Sequence, residues 1–151
     1  MITIRNTQRK IKIDVAKLKT DAQTILDAID YGDFDLGIWL TNNVTIRKYN
    51  KKYRHKDKPT DVLSFPYHTA LKAGQRIKVK SDDDKNLGDL ILAPEYIQND
   101  LPKWETTFEK HIQRLLVHGI CHLLGYDHIE DNDYKIMHKK EMELLKKLQP
   151  R

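Results

Sequence analysis

The sequence predicts a single α+β domain, in which a small mixed β-sheet of about four strands packs with about five α-helices. Its length of 151 residues is that of one ordinary domain. Short apolar stretches typical of strands alternate with stretches at helical spacing, and no internal repeat interrupts them. A hydrophobic fraction of 39% with 32% charged residues is typical of a folded protein with a heavily charged surface. We therefore expect residues 1–151 to form one domain.

Four segments have the pattern of short strands. Residues 2–5 alternate apolar and polar side chains, whereas the later three segments are mostly apolar, as buried strands are. The predicted strands cover residues 2–5, 34–40, 61–65 and 88–92. Pro66 ends the third, because proline cannot donate a backbone hydrogen bond to a sheet. Residues 70–86 contain Gly74 and an acidic triplet without periodicity, so we expect a long surface loop there.

Five segments carry apolar residues at helical spacing. The predicted helices run from Asp14 to a turn at Gly32, from Asn42 or Asn43 through Tyr53, from Pro94 over a few residues, over 104–124 and over about 132–148. Aspartate and asparagine side chains cap the free N–H groups at a helix start, and proline is tolerated at the first helical position. Glycine just past the last turn is typical of a helix end. A small sheet with helices packed on it accounts for all of these elements.

The charge and cysteine content indicate a cytoplasmic protein with a polyanionic partner. The 27 lysines and arginines exceed the 22 acidic residues and give a net charge of +5, which favours binding to nucleic acid. A lone cysteine, Cys121, cannot form an intramolecular disulfide, in keeping with a reducing compartment. No apolar run approaches the roughly 20 residues that span a bilayer, and the first residues lack a signal peptide's apolar region. We expect a cytoplasmic location and no membrane partner.

The segment from His118 to His128 has the spacing of a metal site on a zincin-like helix. Histidines four residues apart on a helix point the same way, so His118 and His122 can reach one ion. Gly125 stands where a helix would end in a left-handed turn, which brings His128 back to the same ion. Three of the seven histidines in this arrangement argue against chance. We therefore predict that His118, His122 and His128 bind one metal ion per chain.

The chemistry of three imidazole ligands favours a catalytic zinc ion. Three histidines leave one coordination position open, as catalytic rather than structural zinc sites do. Zinc lowers the pKa of bound water toward about 7 and acts as a Lewis acid, and both effects suit hydrolysis. Metzincin proteases share the spacing but carry a glutamate base after the first histidine, where this chain has Gly119. A peptidase is therefore disfavoured.

Three blocks of the sequence resemble the YbeY-type endoribonucleases. They are the segment from Tyr53 to Pro66, Gly-Asp-Leu-Ile-Leu at 88–92, and the histidine segment 118–128. The resemblance implies an α+β fold and zinc-dependent cleavage of single-stranded RNA in ribosomal RNA maturation, including the 3′ end of 16S rRNA, and in ribosome quality control. It also implies the ligands named above, a functional arginine at position 54, and the small ribosomal subunit with its assembly factors as partners. The first 40 residues carry no recognisable motif.

A basic segment beside the motifs is the candidate RNA-binding surface. The candidate RNA-binding residues are Lys51, Lys52, Arg54, Lys56, Lys58 and Arg114. Lysines and arginines interleaved with aromatic residues suit phosphate contacts and base stacking, although a solvated helix end would have the same composition. Arg54 is the candidate for gripping the scissile phosphate, because its guanidinium group gives two permanently charged donors. We predict Arg54 and His118 as the catalytic residues.

Several neighbours of the motif have two interpretations. Asp127 either orients an imidazole or caps the following turn, and Asp89 either faces the metal cleft or is solvated. His111 and Arg114 lie near the ligand-bearing helix face, where either could line the cleft. For each of them we favour partial exposure without a chemical role. Cys121 lies about 100° from His122 around the helix axis, so we expect it to be buried rather than a fourth ligand.

The remaining aromatic residues and the last helix have structural interpretations. Tyr53 and Tyr126 are candidates for base stacking, but core packing is the favoured role of each. The final helix alternates charged and apolar residues and is expected to be an ordinary amphipathic packing helix. A ribosome-associated RNA-binding factor with a non-catalytic metal site is the main alternative function, and a zinc metallopeptidase is the other.

Overall fold

The structure is a computed structural model that describes residues 1–150. These 150 residues form four strands and five α-helices, as predicted. In chain order they are β1 (Ile2–Asn6), α1 (Val15–Ala28), β2 (Asp35–Leu40), α2 (Asn43–Arg54), β3 (Val62–Pro66), β4 (Asn86–Leu92), α3 (Pro94–Asp100), α4 (Phe108–Leu123) and α5 (Asp131–Leu148). Two short 3₁₀ turns cover Asp82–Asp84 and Leu101–Lys103. None of the helices in the described part of the chain is long and apolar enough to cross a membrane.

The four strands form one mixed sheet in the order β1-β2-β4-β3. β1, β2 and β4 run parallel, with Ile38 opposite both Ile4 and Leu90. β3 pairs antiparallel with β4 at the edge of the sheet and places Phe65 opposite Asp89. The predicted α+β class, the mixed sheet and the single domain are confirmed.

The sheet is covered differently on its two faces. Leu36, Ile38 and Leu40 alternate along β2 toward the main core, where α1, α4 and α5 pack. The opposite face carries a smaller apolar cluster of Ile46, Leu63, Ile91 and Ala93, which α2 covers through Ile46. α4 contacts β3 and β4. It therefore packs at the edge of the sheet formed by β3, the strand that lies within the Tyr53–Pro66 segment.

Two predicted helix boundaries are wrong, and local backbone geometry explains both. The long helix begins at Phe108 rather than 104, because Thr107 accepts the capping hydrogen bond from Lys110 N–H and Glu105 has a left-handed φ of 48°. The first helix ends at Ala28, and the left-handed residue after it is Asp30, with φ 63°, rather than Gly32.

The segment 70–86 is a surface loop with only the 3₁₀ turn inside it, and its last residue already belongs to β4. Arg76 fastens it by donating to the Ile29 and Asp30 carbonyl oxygens and by lying 4.1 Å from the Tyr31 ring centre.

Candidate metal centre

The turn after α4 brings the third histidine back to the first two. His118 and His122 lie one turn apart on α4 and are half-buried. The helix ends at Leu123 with Leu124 as its C-cap, and Gly125 follows with a φ of 91°, which is the predicted left-handed turn. A side chain at Gly125 would also meet the backbone of the 70–86 loop, since a Cβ there would lie 2.3 Å from the Leu71 carbonyl oxygen. Glycine is required at this position on both counts.

The three histidines form one compact nitrogen cluster. One ring nitrogen from each of His118, His122 and His128 lies within 4.8 Å of the others. The Nε2 atoms of His118 and His122 are 3.1 Å apart. His128 is the exposed member, so the cluster opens toward solvent on its side.

The hydrogen bonds of the other ring nitrogens define the tautomers. His122 Nδ1 lies 2.9 Å from the Tyr126 carbonyl oxygen, which can only accept, so Nδ1 carries the proton. His118 Nδ1 lies 2.9 Å from Glu141 Oε2, and an ionised carboxylate likewise only accepts. In the neutral rings both Nε2 atoms therefore present lone pairs to each other at 3.1 Å. Two lone pairs at that distance repel, and a shared cation removes the repulsion. The donor set therefore fits a metal ion.

The pKa of His122 agrees with a ligand that stays neutral. Burial, and secondarily the neighbouring His118, lowers the pKa of His122 from 6.5 to about 4. A metal ion binds only the neutral imidazole, so no proton has to be displaced from His122 at pH 7.

Glu141 on α5 contacts the histidine cluster, and sequence analysis missed it as a candidate site residue. We expected an ordinary packing helix there, and that interpretation is incomplete. The buried stripe of α5 consists of Met137 and Leu144, and Glu141 lies on it at spacings of four and three residues. A carboxylate within an apolar stripe was the signal in the sequence, because buried acids are normally paired. Its partner, His118, is 23 residues away and could not be identified from local spacing.

The histidines border a cavity of about 170 Å³ between α4, α5 and the start of β3. Besides His118 and His128 it is lined by Asp61, Trp104, His111, Arg114, Leu115, Tyr134, Met137, His138 and Glu141. Asp61 is fixed there because its Oδ1 accepts from Val62 N–H at 2.7 Å. Asp61, which belongs to the Tyr53–Pro66 segment, therefore lines the same cavity as His118 and His128.

His111 and Arg114 occupy this cleft in different ways. His111 is only 1% exposed, so the expected partial exposure is wrong for this residue. Arg114 is exposed, and its guanidinium carbon lies 4.4 Å from the ring centre of Trp104. Of the predicted RNA-binding residues, Arg114 is the one that lines the metal cleft.

The basic segment lies at the end of α2 and is held in a defined loop. His55 ends the helix in a left-handed conformation with φ 59°. Asn50, itself 1% exposed, donates through Nδ2 to the Lys58 carbonyl oxygen at 2.8 Å and so fixes the loop that carries Lys56. All five basic residues of this segment are exposed, and none lines the cavity beside the histidines. The role of Arg54 therefore stays a prediction.

Asp127, Asp89 and Cys121 each take one of the interpretations left open. Asp127 caps its turn, because Oδ1 accepts from Ile129 N–H at 3.3 Å. Asp89 is exposed on the sheet face opposite the main core, where partial desolvation raises its pKa. Cys121 is buried as predicted, and burial raises the pKa of its thiol to about 12.

The two candidate stacking tyrosines differ. Tyr126 packs against the main core, as favoured. Tyr53 is 52% exposed, so core packing is wrong for it. Its ring lies 6.1 Å from that of Tyr49 and 5.1 Å from that of Phe65. These rings border a groove of about 730 Å³ on the sheet face opposite the main core.

Comparison with known proteins places this site in a defined family. The family model described as "Endoribonuclease YbeY" matches residues 3–149. The chain belongs to the YbeY endoribonuclease family. The match covers all three motif blocks, so the resemblance noted in the sequence is confirmed.

Individual YbeY proteins and one solved structure are similar over nearly the whole chain. The human protein named "Endoribonuclease YbeY" is 38% identical over 147 residues, which cover 97% of this chain and 87% of the human protein. The Caldicellulosiruptor bescii protein of the same name is 33% identical over 153 aligned residues, covering 97% and 96%. The solution structure of TM1509 from Thermotoga maritima matches with a TM-score of 0.63 at 26% identity, covering 98% of this chain and 89% of that one.

Proposed function

We propose that this protein is a metal-dependent endoribonuclease that cleaves single-stranded RNA at the centre formed by His118, His122 and His128. The observation that carries the proposal is the convergence of two unprotonated Nε2 atoms at 3.1 Å within the three-histidine cluster. Membership of the YbeY family, whose relatives are named endoribonucleases, supplies the reaction class. The domain that performs this reaction is residues 1–151.

Zinc is the metal that we assign to the centre, with one ion per chain. Zinc accepts three imidazoles and holds each nitrogen at roughly 2.0–2.1 Å, so two ligand nitrogens at a tetrahedral angle lie about 3.3 Å apart. The 3.1 Å separation of the His118 and His122 nitrogens is close to this value. When bound with an open fourth position, zinc supplies Lewis acidity toward a phosphate oxygen and toward water.

The protein's own groups position the ligands and attract the substrate. Glu141 accepts the Nδ1 proton of His118, which keeps the Nε2 lone pair directed into the cluster. Tyr126 does the same for His122 through its carbonyl oxygen. Arg114 presents a positive charge within the cleft. In this proposal His118 is catalytic through its place at the centre.

The exposed basic segment extends this positive surface along the RNA. Arg54 would hold the scissile phosphate, where negative charge grows as the bond is cut. The phosphate contacts of the flanking nucleotides are assigned to Lys51, Lys52, Lys56 and Lys58. These contacts are ionic, so RNA affinity should fall steeply with salt concentration.

The substrate that we propose is ribosomal RNA, at the 3′ end of 16S rRNA and in ribosome quality control. The protein would then work in the cytoplasm with the small ribosomal subunit and its assembly factors. The net charge of +5 supports a polyanionic substrate. The alternative of a zinc peptidase is opposed by Gly119, because a Cβ there would lie 2.8 Å from Leu90 Cδ2, on the sheet side of α4. A glutamate at that position would have to displace the buried Leu90 side chain.

The test compares three purified proteins, namely wild type, His118→Ala and His138→Ala. His138 lines the same cavity but is not part of the nitrogen cluster, so it is the matched control. We expect wild type and His138→Ala to carry about one metal per chain and to cut a labelled single-stranded RNA, while His118→Ala loses both. If RNA binds but wild type does not cut it, the protein is an RNA-binding factor and the proposal fails.

A further inference from the structure

The cavity beside the metal centre contains a second group of side chains, of which the proposed reaction uses only the positive charge of Arg114. His118 and His128 line one part of it, and Trp104, His111 and Arg114 line another. His111 precedes His118 by seven residues, which is two turns of α4. On α4, His111 and Arg114 therefore lie about two turns and one turn before His118.

His111 is a buried polar residue without a partner. Its side chain is 1% exposed, and neither Nδ1 nor Nε2 has a hydrogen-bond partner among residues 1–150. Burial lowers its pKa even though Asp61 and Asp100 act in the opposite direction, and Arg114 lowers it further. The ring is therefore neutral at pH 7 and offers one donor and one acceptor. An unpaired buried polar group is costly, so this ring is equipped for a partner that the protein itself does not provide.

Trp104 lies against His111 in the lining of the cavity. The two rings lie 5.1 Å apart with an angle of 32° between their planes. Trp104 is 40% exposed, and its Nε1–H donates to Asp100 Oδ2 at 2.9 Å. The guanidinium group of Arg114 lies 4.4 Å from the same indole ring. An exposed indole with an arginine against it is the combination on which unpaired bases stack.

We propose that Trp104, His111 and Arg114 form a nucleobase subsite, which binds an unpaired base flanking the phosphate that is cut. The base stacks on the indole and guanidinium groups, while the edge of the base pairs with the donor and acceptor of His111. Because both ring nitrogens of His111 are buried and Trp104 lies against the ring, the base can reach them only when Trp104 shifts. A neutral imidazole is a poor phosphate ligand, so the chemistry favours a base over a phosphate here. The inference rests on the proposed function, since it names how the same RNA substrate is held.

The first experiment uses Trp104 as its own reporter. The chain has two tryptophans, and Trp39 lies on the opposite face of the sheet, so Trp39→Phe leaves Trp104 as the single fluorophore. A short 2′-O-methyl oligonucleotide, whose blocked 2′-oxygen cannot attack the phosphate, is titrated into this protein and into Trp104→Phe, and gel electrophoresis verifies that it stays intact. We expect saturable quenching of Trp104 and no matching change of Trp39. A matched abasic oligonucleotide should bind without quenching, whereas equal quenching by both, or none by either, would overturn the subsite.

The second experiment separates recognition from a structural role of His111. His111→Phe keeps an aromatic ring but removes both unpaired nitrogens, so its thermal stability should equal or exceed that of wild type. Its affinity for the base-containing oligonucleotide should fall about tenfold, within the range for loss of a base contact, while abasic binding is unchanged. Lower stability with unchanged affinity would assign His111 to the core and reject the subsite.

The two proposals can fail separately. If wild type does not cut RNA but Trp104 is quenched by the base-containing oligonucleotide, the nuclease proposal fails and the subsite stands. If wild type cuts RNA and neither Trp104→Ala nor His111→Phe changes KM, the subsite fails and the nuclease stands.

Discussion

The contact between His118 and Glu141 gives the sharpest prediction about the metal centre. Glu141 Oε2 accepts the Nδ1 proton of His118 at 2.9 Å, and the two side chains are 16% and 28% exposed. This short, partly buried bond to a carboxylate sets the direction of the His118 lone pair. Loss of such a partner weakens metal binding about 10- to 100-fold, which corresponds to about 1.4–2.7 kcal/mol.

Two substitutions divide this effect into parts. Glu141→Gln keeps an oxygen that can accept the proton but removes the charge, so we expect the lower end of the range. Glu141→Ala removes the acceptor entirely, so we expect the upper end. Glu143→Gln is the control, because the Glu143 side chain is 57% exposed on the same helix and forms its ion pair with Lys140, at 3.4 Å.

The assay is zinc competition with a chromophoric chelator at constant pH, with circular dichroism to verify that each variant is folded. The three proteins should rank Glu143→Gln, Glu141→Gln and Glu141→Ala in order of decreasing affinity. Equal zinc affinities for all three would refute the argument that Glu141 orients His118.

Three further predictions concern the turn, the basic segment and a buried histidine. Gly125→Ala should destabilise the protein and release the metal, because φ is 91° and the new Cβ would lie 2.3 Å from Leu71 O; thermal melting with metal analysis checks this. Arg54→Glu should lower RNA affinity and cleavage well beyond Lys19→Glu, an equal change of charge at an exposed site on α1, in binding and cleavage assays; equal effects would contradict it. Burial lowers the pKa of His111, so the unfolded chain binds its proton at higher pH and the folded protein loses stability as pH falls below about 6.5. Denaturant unfolding at pH 7 and pH 5 should therefore show a smaller loss for His111→Phe than for wild type.

The three-histidine cluster was predictable because its arrangement is local. His118 and His122 are related by one helical turn, and Gly125 fixes the direction of the return to His128. Family membership added the reaction class, which spacing alone does not contain. The strands and helices followed from periodicity and capping residues, and their number was correct.

What the sequence did not reveal depends on contacts between distant segments. Glu141 reaches His118 only because α4 and α5 pack against each other. His111 packs against Trp104, whose segment is a turn rather than the first turn of α4. Tyr53 is exposed because α2 packs on the sheet face opposite the main core through Ile46 and leaves the Tyr53 end of the helix uncovered. Periodicity describes one element at a time, so none of these pairings could be predicted from it.

The most direct test of the account is zinc reconstitution of the metal-free protein. The protein is stripped with a chelator, shown by circular dichroism to remain folded, and titrated with zinc while cleavage of single-stranded RNA is measured. We predict no cleavage without metal and a linear return of activity that saturates at about one equivalent, with no return in His118→Ala. Full cleavage by the metal-free protein would contradict the claim that the three histidines form the catalytic centre.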